Sequence, residues 1–210
     1  MASLIEYMIR QQDRIIAALI EHASMVLTAL AISIVVGITI GYLITYNKHI
    51  AKAVIYICGM LMTIPSLALF VFFIPIFGIG ARPAIAGLVL YTLLPIVRNV
   101  YVGITNIEPS IIMAARGMGM TEAAITLKVK IPLALPVAFA GIRTAVVMGI
   151  GLGAIAAYIG AGGLGVFIFQ GIQRGITNMI LVGAILTALL TIIVDRIMYL
   201  IQQQAEKMTK

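Results

Sequence analysis

The chain has 210 residues, 62% of them hydrophobic and only 10% charged, with a mean hydropathy of +1.16 and a net charge of +7. A soluble domain carries about a quarter charged residues, so the composition excludes one and leaves an integral membrane protein. A spanning β-barrel would show strict period-two alternation; the apolar runs here are continuous, and helices are the remaining way to satisfy the backbone in lipid.

Residues 1–22 place Leu4, Ile5, Met8, Ile15, Ile16 and Leu19 near helical spacing among Glu6, Arg10, Asp13 and Arg14. This pattern predicts an amphipathic interfacial segment. Residues 23–201 form the membrane domain, in which a bilayer core of about 30 Å takes about 20 helical residues per crossing. The first span runs from Ala23 to Tyr46. Its Gly37 and Gly41 form a small-xxx-small pair, which either admits a neighbouring helix or is merely tolerated in lipid. After the polar turn Asn47 to Lys52 comes a second span, Ala53 to Phe77, interrupted by Thr63-Ile64-Pro65-Ser66. Proline inside a helix removes a backbone bond and clashes with the preceding turn, so a kink is expected at Pro65 and Ser66. It either marks a pathway-lining segment or only packs. The third span, Ala84 to Val102, contains Tyr91, Pro95, Arg98 and Asn99; an arginine this close to the membrane edge snorkels by default.

The longest break in the apolar pattern lies within the loop 103–132. Pro109 suits a first helical turn, Gly119 can stop a helix, and Thr121 can cap a segment Glu122 to Lys130. Two short helices joined at Gly117-Met118-Gly119 are expected. Ala114, Ala115, Met118, Met120, Ala123 and Ala124 would give the bend a small, adaptable apolar surface suited to a partner's groove. Alternatively, the loop lies on the bilayer surface.

The fourth span runs from Leu133 to Ile159 and contains Arg143. Counted from Leu133, Arg143 lies about ten residues, or about 15 Å, inside the span. That position demands a partner or a water-filled cavity, for which Asp195 is the expected ion-pair partner. A span starting nearer Ile142 makes Arg143 an ordinary boundary residue, and this is the preferred reading. Gly160, Gly162 and Gly165 match GxGxxG, but the dinucleotide motif needs a preceding strand, a following helix and an acid about 20 residues on. The stretch is instead a glycine hinge feeding a short helix from Val166 to Gln173. The last span covers Asn178 to Leu200, and residues 202–210 form a tail.

The positive charge does not point to nucleic acid, since Trp is absent and Lys and Arg gather at the ends of apolar runs. They report topology instead. With the Lys48/Lys52 turn, the long loop and the tail on one side, that side holds Lys48, Lys52, Arg98, Arg116, Lys128, Lys130, Arg196, Lys207 and Lys210. The other keeps Arg10, Arg14, Arg82 and Arg174. The positive-inside rule then places the C-terminus in the cytoplasm and the N-terminus outside. No cleavable signal is expected at the N-terminus, which mixes both charge signs ahead of any long apolar run. Cys58, a packing residue by its surroundings, has no second thiol for a disulfide or a thiolate metal site. Neither catalytic nor metal-binding residues are expected, because His22 and His49 are the only histidines and no acid, base and nucleophile converge.

Met113-Ala114-Ala115, Gly119, and Val129, Ile131 and Pro132 resemble the EAA loop of ABC importer permeases. That motif reads Glu-Ala-Ala, three residues, Gly, nine residues, and an apolar-x-apolar-Pro end. The spacing here is complete, with Met113 where the family has its glutamate. Four further stretches, Thr63 to Leu69, Leu94 to Asn99, Gly141 to Thr144 and Ile159 to Gly165, together with Ala115 to Thr121, resemble permeases of osmoprotectant importers, which handle glycine betaine, carnitine, choline or proline betaine.

The resemblance implies an all-α polytopic bundle of about five transmembrane helices with the type I importer permease fold, in a bacterial cell membrane. It implies a second permease subunit, identical or related, an extracytoplasmic substrate-binding protein, and cytoplasmic ATPase subunits that bind ATP and magnesium; this chain would hold no cofactor. Met113, Ala114, Ala115, Gly117, Gly119, Thr121, Ile131 and Pro132 would form the ATPase-coupling loop. Pro65, Ser66, Tyr91, Arg98, Asn99, Arg143, Gly162 and Gly163 are the candidates for translocation or gating. For a quaternary ammonium solute aromatic faces are the expected ligands, and Phe70, Phe73, Tyr91 and Tyr101 are available. The alternatives are an importer of another small solute, such as an amino acid, and a stand-alone secondary carrier, for which no intramembrane carboxylate or inverted repeat is visible.

Overall fold

A computed structural model describes residues 4–207; residues 1–3 and 208–210, including Lys210 of the charge count, lie outside the described residues. Among these the regular elements are all helical. A short α1 (Leu4–Arg10) leads into α2 (Gln12–Leu43), which ends in a tight turn at Ile44–Tyr46. The Asn47 side chain accepts from the backbone N–H groups of His49 and Ile50 at 2.9 and 3.2 Å, and so starts α3 (Lys48–Thr63). There follow α4 (Ser66–Phe72), α5 (Ile74–Phe77), α6 (Ala81–Thr105) and α7 (Pro109–Gly117). Next, α8 (Glu122–Ile125) passes through a wide π-type turn, Thr126–Lys130, into α9 (Ile131–Ala156). Finally α10 (Gly165–Arg174) turns back at Gly175 into α11 (Thr177–Lys207).

Four of these units are long and apolar enough to cross a membrane: Gln12–Tyr46, Ala81–Thr105, Glu122–Ile159 and Thr177–Lys207. A fifth is present if α3 and the α4–α5 arm count as one broken span.

Within lipid, apolar side chains gain little by leaving the tails, so helices associate through close packing and small residues. The glycines of this chain do that work. A methyl on Gly37 would come within 2.8 Å of Ile96, and one on Gly41 within 2.7 Å of Val100, so α2 and α6 touch along that pair. On the adjacent face of α6, a methyl on Gly141 of α9 would lie 2.5 Å from the Pro95 carbonyl oxygen. One polar link crosses the same core: the buried hydroxyls of Ser33 and Thr92 are 2.7 Å apart. Half of the apolar window of α6 is buried against 17% of that of α11, so α6 is the centre and α11 the uncovered side.

Three boundaries differ from the sequence expectation. The helix of the first span starts earlier than Ala23: α2 begins at Gln12 and runs unbroken past Ala23, so residues 12–22 of the expected interfacial segment are helically continuous with the span. At Pro65 the chain makes a 99° break rather than a kink. Ile64 and Pro65 both adopt extended ψ angles, 130° and 132°, as a residue before proline prefers, and two extended residues end a helix rather than bend it. Nor does the fourth helix start at Leu133 or near Ile142: helical backbone is continuous from Glu122, with Pro132 in the first turn of α9 and Pro136 inside it. Arg143 is therefore an interior residue of its helix; the run Glu122–Ile159 has 38 residues, more than the about 20 a crossing takes, so its first part extends outside the membrane, as a boundary position for Arg143 requires.

Candidate functional site

The expected coupling loop is built on two proline and threonine signals. Pro109 opens α7 at its first turn, where its missing N–H costs nothing. The Thr121 hydroxyl accepts from the Ala124 N–H at 3.2 Å and opens α8. Between them Gly119 takes φ +80°, a left-handed conformation that side chains resist. The turn is closed by the Met120 N–H donating to the Ala115 carbonyl at 3.1 Å. Arg116 bridges to Glu122 at 2.7 Å across the bend. This guanidinium holds the Glu122 carboxyl below the ordinary glutamate range, and the carboxylate raises Arg116 in turn.

Ala115 and Ile125 point inward and are buried, at 2% and 0% exposure, so the bend has a firm base. Met113, Met118 and Leu127 point outward and stay 64%, 75% and 66% exposed. Ala114, Gly117 and Thr121 are exposed beside them, and Ile131 and Pro132 carry the chain into α9. The eight expected loop residues thus lie on consecutive elements from α7 to the first turn of α9, and among the described residues nothing covers the Met113 side chain.

The translocation candidates fall into separate places. Pro65 and Ser66 form the break between α3 and α4, and the Tyr91 hydroxyl donates to the Ile64 carbonyl there. Tyr91 and Phe70 are core residues, at 5% and 0% exposure, so neither offers a free ring face to a ligand. Asn99 donates to the Pro95 carbonyl at 2.7 Å and packs on Gly141, whereas Arg98 is exposed.

Gly162 and Gly163, at φ +78° and +81°, form a turn against the first half of α2. The Gly163 N–H donates to the Glu21 carboxylate at 3.0 Å. Next to it His22 is fully buried; its Nε2 donates to the Ile150 carbonyl at 3.1 Å, and its Nδ1 has no hydrogen-bond partner. A cavity of about 380 Å³ opens beside this turn, lined by Glu21, Ser24, Thr28 and Gly162 among others. Sequence reasoning weighs His22 only as a possible catalytic or metal-binding histidine and gives Glu21 no role; the available signal was an acid and a histidine side by side in a helix whose other polar residues are mostly hydroxyls. The opposite end of α2 lies by the loop, where Tyr42 and Tyr46 line one recess with Glu122 and Lys130.

Arg143 meets Asp195 of α11 in a two-pronged ion pair, Nε to Oδ1 at 2.5 Å and Nη2 to Oδ2 at 2.7 Å. Its guanidinium carbon lies 5.0 Å from the centre of the Tyr199 ring. Among the described residues no three His, Cys, Asp or Glu side chains come together as a metal site requires.

Over residues 15–207 the chain matches the family described as binding-protein-dependent transport system inner membrane component. It is 42% identical over 203 residues, 94% of each chain, to the osmoprotectant import permease protein OsmW of Salmonella typhimurium. To the carnitine transport permease protein OpuCB of Listeria monocytogenes it is 41% identical over 175 residues, 83% of this chain and 80% of the relative. To the choline transport system permease protein OpuBB of Bacillus subtilis it is 39% identical over 178 residues, 85% of this chain and 82% of the relative. An inward-facing structure of the MetNI methionine ABC transporter aligns with a TM-score of 0.84 at 23% identity, over 98% of this chain and 99% of that one, which shows a common fold.

Proposed function

The chain belongs to the family of binding-protein-dependent transport system inner membrane components, and from that premise we propose that it is the permease of an ATP-driven importer of osmoprotectants such as glycine betaine, carnitine or choline. Relatives named for osmoprotectant, carnitine and choline transport support that solute class, at 39–42% identity over most of the chain. On this reading a second permease subunit, two ATPase subunits carrying ATP and magnesium, and an extracytoplasmic binding protein complete the transporter. The excess of Lys and Arg on the loop side favours a cytoplasmic loop and C-terminus and an external N-terminus.

One observation carries the role of the loop. The bend at Gly119 rests on buried Ala115 and Ile125 and turns Met113, Met118 and Leu127 outward. A lone surface loop has no use for three uncovered apolar side chains on a capped, hydrogen-bonded frame, whereas an ATPase groove does. With Met113 in place of a carboxylate, docking rests on shape and apolar contact. ATP-driven closure of the ATPase pair would then move the bend, and the bend would shift the spans between two arrangements.

The test is reconstitution. The tagged permease should copurify with an ATPase subunit, and vesicles supplied with the binding protein should accumulate at least one of the three solutes only with ATP. Accumulation without an ATPase would make the chain a stand-alone carrier, and accumulation of none of the three would reject the solute class. A reporter at the C-terminus that scored as external would overturn the orientation.

A further inference from the structure

The Arg143–Asp195 pair lies between α9 and α11, on the side that the chain leaves uncovered. Its side chains remain 31% and 34% exposed. A recess of about 410 Å³ opens directly on the pair, lined also by Ala140, Thr144, Val147, Met148 and Gln202. Charged side chains on membrane helices face protein or water rather than lipid tails. A pair exposed by a third, beside a recess with a hydroxyl and an amide in its wall, is therefore covered by water or another subunit in the assembled transporter.

We propose that this recess is a transit site for a small zwitterion bearing a quaternary ammonium and a carboxylate, held antiparallel along the Arg143–Asp195 pair. The proposal rests on the osmoprotectant reading above. The ion pair uses two of the five guanidinium N–H groups and part of the carboxylate's accepting capacity, so each side chain keeps a free edge. The solute carboxylate takes the remaining guanidinium N–H groups. Its ammonium, which has no N–H to satisfy, needs only the negative charge of Asp195, and its methyl groups lie on Val147 and Met148.

Tyr199 does not serve as an aromatic ligand here, because its ring is already occupied by cations. The guanidinium carbons of Arg143 and Arg196 lie 5.0 and 5.2 Å from its centre, and its hydroxyl accepts from the Gln203 amide at 2.7 Å. Its role is to hold Arg143 toward Asp195 instead of letting it snorkel away. Since the pair satisfies itself when the recess is empty, the solute gains little by binding. Passage requires that weakness, because a site must be favourable enough to enter and weak enough to leave. Choline, lacking a carboxylate, meets only half of the site and faces the charge of Arg143.

The experiment uses the complete transporter, permease with ATPase and binding protein, in vesicles of phosphatidylethanolamine and phosphatidylglycerol, so that no choline lipid competes. Replacing a purely structural ion pair by apolar side chains of similar volume is close to neutral. A double variant, Arg143→Met with Asp195→Leu, should instead lose glycine betaine uptake by about ten-fold or more while keeping ATP hydrolysis stimulated by the binding protein. Uptake within about two-fold of the parent would overturn the site.

A second measurement stands if that variant fails to assemble. Thr144→Cys, in a Cys58→Ser background, should react with a water-soluble cationic thiol reagent, and glycine betaine should slow the reaction more than choline does. An unreactive or unprotected Thr144→Cys would overturn the proposal. If the parent transporter accumulates none of glycine betaine, carnitine and choline, the osmoprotectant reading falls; if it accumulates choline alone, or accumulates glycine betaine while Thr144→Cys is unprotected, only the transit site falls.

Discussion

Gly141 and Gly119 are both indispensable on paper, and for opposite reasons. At Gly141 the backbone is ordinary helix and the neighbours are the constraint: an added methyl would lie 2.5 Å from the Pro95 carbonyl oxygen and 2.6 Å from the Asn99 Cβ. At Gly119 an added methyl would meet nothing within 4 Å, and the constraint is the φ of +80° alone. The first glycine sets the distance between α6 and α9, on which the whole bundle depends. The second sets only the direction of the chain between α7 and α8. Damage to the packed region should therefore spread through the molecule, and damage to the bend should stay local and show itself in coupling.

The largest effect is expected from Gly141→Val. The closest obstacle is backbone, which cannot swing aside as a long side chain can, and overpacking of a tight contact costs about 1–3 kcal/mol or more. The membrane-inserted permease should fall to a small fraction of its parent level, with uptake falling in proportion. Parent levels on a membrane immunoblot would show that α6 and α9 can move apart and that the two regions do not differ as described.

Gly119→Val ranks next. A β-branched residue at a left-handed position costs about 1–2 kcal/mol, which the bend can relieve by refolding because nothing packs over it. Permease level and melting temperature should stay near those of the parent, while uptake drops about ten-fold or more and ATP hydrolysis loses its dependence on the liganded binding protein. Gly119→Asn, which tolerates left-handed geometry better, should keep most of the uptake. Normal uptake by Gly119→Val would remove the bend from the coupling role.

A smaller effect belongs to the outward face. Met118, 75% exposed, is free of packing duties within the chain. Met118→Asp should leave the permease level unchanged and weaken ATPase capture about ten-fold, which corresponds to about 1.4 kcal/mol of binding free energy. Unaltered capture would place the docking surface elsewhere, with Leu127 the next residue to change.

How much of this could be read in advance depended on whether the signal was local. The bend was legible because Pro109, Gly119 and Thr121 each impose a conformation on their own stretch of backbone, and all three do so in the structure. The glycine pair at 37 and 41 was legible as a contact surface, although its partners Ile96 and Val100 were not. Pro65 announced an interruption but not its 99° angle, which depends on Ile64 also leaving the helix and on the Tyr91 hydroxyl taking up its carbonyl. The start of the fourth helix was missed because Pro132 and Pro136 looked like an entry point, whereas the wide turn at Thr126–Lys130 lets the helix run through them. The Glu21 contact with Gly163 joins residues far apart in the chain, and no local pattern encodes such a meeting.

The smallest effect separates the bend's frame from its surface. Glu122 and Arg116 are both well exposed, at 63% and 58%, and exposed ion pairs contribute little to stability. Glu122→Gln should therefore leave level, melting temperature and ATPase capture close to parental values at neutral pH. The sign of any residue of effect is fixed by the charge state. Because Arg116 lowers the folded-state pKa of Glu122, the bridge contributes fully above the ordinary glutamate range and is lost as the pH falls through the lowered value. Parent and Glu122→Gln should accordingly converge in acid and differ, slightly, only above it. A large defect at neutral pH would mean that the Arg116–Glu122 bridge, rather than Gly119 and the Thr121 cap, holds the bend in shape, and the local character assigned to this region would then be electrostatic instead of conformational.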